Sequence, residues 1–108
     1  MSEKLIPYDP AQSLETPGSV AYFLEDAFDT SDAAYIAHAI GIAARAHGMT
    51  RVAGETGLAR EALYRSFSED GNPSLKSTIA VLATFGLTLT VRPASAEEKG
   101  REAGEAAE

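Results

Sequence analysis

Apolar positions along this chain recur at helical spacing through several segments and alternate strictly in one. Val20, Phe23, Leu24, Ala27 and Phe28 repeat every three or four residues, which predicts a helix over about 17–29. Thr16-Pro17 supplies its start, a capping residue followed by a proline at the first helical position. Thr30-Ser31-Asp32 opens the next helix, where Ala33, Ile36, Ala37, Ile40, Ala43 and Ala44 form one face as far as Gly48, a C-terminal stop. So many alanines on that face predict close helix–helix contact. Two short helices follow at about 50–56 and 60–67. A polar link, Ser68-Glu69-Asp70-Gly71, leads to Asn72-Pro73, read as a second cap and first-position proline. Leu75, Ile79, Leu82 and Ala83 then mark the inner face of a helix ending at Gly86.

Leu87-Thr88-Leu89-Thr90-Val91-Arg92 alternates and favours a β-strand. A lone strand cannot satisfy its backbone, so it needs a partner. The candidates are the Leu5–Tyr8 stretch, the same strand of a second copy, or a strand of another protein. Residues 1–16 read as an extended lead, with Pro7 and Pro10 opposing regular helix. Residues 94–108, rich in Ala, Glu and Gly, have little to bury and read as a disordered acidic tail. The expected fold is all-α: a bundle of about five helices over 17–93 with a short C-terminal strand.

Composition narrows the class. A chain of 108 residues with a 44% hydrophobic fraction makes one modest core. It contains no apolar run of the roughly 20 residues needed for a membrane span, and Met1–Pro7 lacks the pattern of a secretory signal. The lack of cysteine excludes disulfides and thiolate metal sites and fits a cytoplasmic location. His38 and His47 are nine residues apart in sequence and make a poor metal pair. No phosphate-binding glycine loop or nucleophile–base set is present, and Glu25, Asp26 and Asp29 read as a solvated helix face. Neither an enzyme nor a cofactor is expected.

Thr50 to Phe67 carries the most specific chemistry. A short helix, a turn at Gly57 and a second short helix form the pattern of a helix-turn-helix, whose second helix enters the DNA major groove. Ala53 is small where the two helices would cross, Gly57 tolerates a positive backbone angle, and Val52, Leu58 and Leu63 anchor the pair to the body. Thr50 is expected to cap the first helix and to offer its hydroxyl to a phosphate. Arg60 opens the second helix, where an arginine can make two parallel hydrogen bonds to guanine or bind phosphate instead. Arg65 fits a phosphate; Arg51 and Lys76 are weaker phosphate contacts or plain surface. Tyr64 can touch a thymine methyl or pack on Arg60, and Glu61 can accept from cytosine or pair with Arg65.

The formal charge of −7 runs against DNA binding, but it is unevenly spread. Residues 1–44 hold seven acids against Lys4, whereas residues 45–76 hold five bases against four acids. The segment with the helix-turn-helix pattern is thus the one stretch that is not acidic.

Met49–Ala53, the Gly57-Leu58-Ala59-Arg60-Glu61-Ala62-Leu63-Tyr64-Arg65 block, Asp70-Gly71-Asn72-Pro73 and Leu82–Leu89 resemble the prophage-type addiction-module antidote proteins, HigA-like antitoxins with a lambda-repressor-like (Xre) helix-turn-helix. Tyr8-Asp9-Pro10-Ala11 and the stretch Ala44–Met49 fit as well, so the resemblance spans about residues 5–93. It implies a type II antitoxin that binds a RelE/ParE/HigB-like toxin directly. It also implies repression of its own operon through double-stranded DNA and a homodimeric state. Thr50, Arg51, Arg60, Glu61, Tyr64 and Arg65 would then be the DNA-binding residues. Toxins of this kind are usually basic, so the acidic N-terminal third is the expected toxin face, on charge alone and with no residue motif behind it. Two departures stand out: Ala59 replaces a capping serine, and Arg51 replaces a common glutamine. The alternatives are a stand-alone phage-type repressor and an interaction module that has lost DNA binding.

Overall fold

In the computed structural model, residues 17–94 can be described. Five helices follow one another: α1 (Pro17–Asp29), α2 (Ala33–His47), α3 (Met49–Thr56), α4 (Arg60–Ser66) and α5 (Leu75–Thr84). The expected lead over 1–16, the Thr16 cap and nearly all of the expected tail lie outside these residues.

α2 is the hub, packing on α1, α3 and α4, while α5 rests on α3. It is suited to that place because its side chains are small on several sides: Ala37, Ala39, Gly41, Ala43 and Ala44 are all buried together with Ile40. Gly41 marks the closest approach, since a Cβ there would run into the Phe67 carbonyl. Asp32 caps α2, its carboxylate accepting from the Tyr35 N–H at 3.2 Å. At the other end Gly48, at φ 108°, donates its N–H to the carbonyls of Ala44 and Arg45. Val20, Leu24 and Ala27 of α1, Val52 of α3, Leu63 of α4, Phe67, and Val81, Leu82 and Phe85 from α5 and its end complete one continuous core.

Three expectations are corrected. α5 begins at Leu75, with Ser74 rather than Asn72 as its cap; the Ser74 hydroxyl accepts from the Ser77 N–H at 3.0 Å. The loop before it is held against α4, because Gly71 lies so close to the Ser66 carbonyl that no Cβ would fit. The inner face of α5 is also different: Leu75 and Ile79 are 66% and 49% exposed and Ala83 is exposed, while Val81, Leu82 and Phe85 are buried. α5 is apolar around much of its circumference, and its contact with α3 selects the buried stripe. Finally, the strand expected over Leu87–Arg92 is not formed among the described residues. Leu87 and Leu89 pack against the core with Thr88 and Thr90 outside, so the alternation is kept, but no described segment supplies a ladder.

Candidate functional site

α3, the turn after it and α4 form the unit on which the sequence concentrates its polar chemistry. The turn is built by two adjacent residues. Gly57 takes the left-handed conformation, φ 78° and ψ 8°, and closes α3 through its N–H to the Ala53 carbonyl. Thr56 braces it from the other side: its hydroxyl donates to the Val52 carbonyl at 2.8 Å and accepts from the Leu58 N–H at 3.2 Å. Sequence reasoning missed Thr56, although a hydroxyl residue just before a turn glycine is a local signal for such a bond. Val52 and Leu63 are fully buried, and Ala53 and Leu58 pack on the same core, so both short helices are anchored from beneath.

The candidate DNA-binding residues all lie on the outer surface of this unit. Arg60, Glu61, Tyr64 and Arg65 are exposed on α4, with Arg60 its first residue. The Arg60 guanidinium lies 5.8 Å from the centre of the Tyr64 ring, within reach of a cation–π contact. No ion pair joins Glu61 to Arg65, so the intrahelical pairing considered for them is not made.

On α3 the placement differs from expectation in two ways. Thr50 is exposed, but it is the second residue of the helix; Gly48 occupies the cap position and contributes no side chain. Arg51 is exposed yet bound to Glu55 one turn on, at 3.2 Å. That bond neutralises one of the positive charges of the unit. Ala59 takes the cap position of α4 and makes no side-chain bond, as a methyl group must. Lys76, the remaining weak phosphate candidate, is exposed near the start of α5.

Elsewhere the described residues offer little for chemistry. They contain no group of three or more His, Asp or Glu placed to hold a metal ion. His38 lies 3.9 Å from Glu69, and His47 packs edge-on against Phe85 with its Nε2 buried and unbonded. No helix among them is long and apolar enough to cross a membrane.

A family model described as "Probable addiction module antidote protein" matches residues 4–93. The chain is also similar to an uncharacterised protein of Haemophilus influenzae, 29% identical over 92 residues that cover 85% of this chain and 95% of that one. No solved structure matches it.

Proposed function

The chain belongs to the family of probable addiction module antidote proteins, and from that premise we propose that it is the antitoxin of a type II module. In this reading it binds a RelE/ParE/HigB-like toxin directly and represses its own operon as a homodimer on double-stranded DNA in the cytoplasm. The observation that carries the DNA half is the unit α3–Gly57–α4, whose anchored helices turn Arg60, Tyr64 and Arg65 outward together. That disposition suits a helix lying in the major groove with its first residues at base edges. Arg60 is the residue assigned to base reading, Tyr64 orients it, and Arg65, Thr50 and the partly neutralised Arg51 contact phosphates. Glu61 is assigned to a cytosine amino group. The toxin half follows from the family and from the acidity of the N-terminal third.

Co-expression with the product of the adjacent small reading frame tests the antidote role. The neighbour alone should arrest growth, and the pair should purify as one complex. Binding of the chain to its own upstream DNA tests the repressor role. Arg60→Ala is expected to weaken that binding by about 1–3 kcal/mol and to relax preference at one base pair. Toxicity and complex formation without any DNA binding would leave an antidote that does not repress. DNA binding beside a harmless neighbour would leave a free-standing repressor.

A further inference from the structure

A groove of about 530 Å³ runs between α1 and the segment that follows α5. Leu24 and Phe28 form one wall, Leu87 and Leu89 the other, and Leu82 lies between them. Among the described residues, the main chain of Thr88–Val91 makes no backbone hydrogen bond, and Val91 is 93% exposed. The alternating burial of Leu87, Thr88, Leu89 and Thr90 is that of an extended chain laid on a core. An apolar trough beside an unpaired extended backbone can be completed by one more strand, whose main chain pairs with the edge while alternate side chains fill the trough.

Charge decides which strand. The outer side of α1 exposes Tyr22, Glu25, Asp26 and Asp29, spaced so that they run along one stripe beside the groove. Glu25 and Asp29 themselves line it, and Asp29 is joined to Arg92 across it at 3.0 Å. The chain's own residues 1–16 carry three acids against Lys4, and a second copy brings a further net charge of −7. Neither brings the positive charge this rim attracts. We infer that the groove is the docking site of the toxin, which adds a strand along Thr88–Val91 with apolar side chains inward and Lys or Arg beside Glu25 and Asp26, Asp29 being already paired with Arg92. This rests on the antidote reading above and gives it a surface. None of the groove's lining residues belongs to α3 or α4. Toxin bound here would therefore cover none of the residues assigned to DNA.

The test is amide hydrogen exchange on the full chain, alone and in complex with the co-purified toxin. The Thr88–Val91 amides are expected to exchange freely in the isolated chain at every concentration and to become protected in the complex. The charge reversals Glu25→Lys and Asp26→Lys, both at exposed positions, should weaken the toxin complex by roughly tenfold or more. They should leave the helical circular dichroism and the binding of operator DNA unchanged. Protection already present in the isolated chain would overturn the inference, since the edge would then be filled by the lead or by a second copy. So would amides that stay unprotected in a complex that still neutralises the toxin, and that result would leave the antidote role intact. A neighbour that neither arrests growth nor binds would instead remove the antidote reading, and this inference with it.

Discussion

Two glycines inside helices sit in opposite surroundings, and the difference sets the sign of what an added methyl group does. At Gly54, on the exposed side of α3, a Cβ would meet nothing within 4 Å, so the residue costs helix propensity with no packing return. Gly54→Ala is expected to stabilise the fold by about 1 kcal/mol, read as a rise of roughly 4–8 °C in a thermal melt. At Gly41 the same change drives a methyl into the Phe67 carbonyl, where both partners are backbone and cannot swing aside. Gly41→Ala is expected to destabilise by about 1–3 kcal/mol, with a matching fall in Tm. A melt in which both variants moved the same way would contradict these placements. Only one of the two effects was legible in the sequence. The propensity cost of Gly54 is local, whereas the constraint on Gly41 comes from a residue far along the chain and leaves no local trace. Gly57 was legible for the first reason, since the turn that needs its positive φ is written in its immediate neighbours.

At the scale of elements, helices were legible wherever one stripe was apolar and the other polar, as in α1 and in the α3–α4 pair. α5 was legible as a helix, but its inner face was not, because apolar residues lie around much of it and periodicity alone cannot say which of them face α3. The side left over exposes Leu75 and Ile79, one turn apart. In the proposed homodimer this stripe is the apolar surface available on α5 for a second copy. Leu75→Glu with Ile79→Glu is expected to shift the chain toward monomer in sedimentation while keeping its helical spectrum, since neither side chain contributes to the core. DNA binding should weaken with it, because a monomer holds a single half-site. A double variant that remained dimeric would move the interface elsewhere. The segment after α5 shows the opposite limit: its alternation was read correctly, but a ladder depends on a partner that no local pattern identifies.

Over the whole molecule, the question is how a chain with a net charge of −7 could hold DNA at all. Affinity for a duplex comes largely from cations released as lysines and arginines meet phosphates, and repulsion from distant acids is screened beyond about 10 Å at moderate salt. What matters is therefore the local set, Arg60 and Arg65 on α4 and Arg51 on α3, the last already paired with Glu55. Two copies would offer four arginines not already paired among the described residues, enough for a clear but moderate salt dependence. Plotted as the logarithm of the binding constant against that of salt concentration, the operator affinity of the dimer should fall linearly. Arg65→Gln, which removes one phosphate contact per copy, should lower the slope by about two and weaken all sequences alike. Arg60→Ala should instead lose more affinity on the operator than on unrelated DNA. Equal losses from the two variants on both kinds of DNA would mean that Arg60 binds phosphate too. Base reading on α4 would then fall to Glu61 and Tyr64, or operator choice would come from the shape of the duplex.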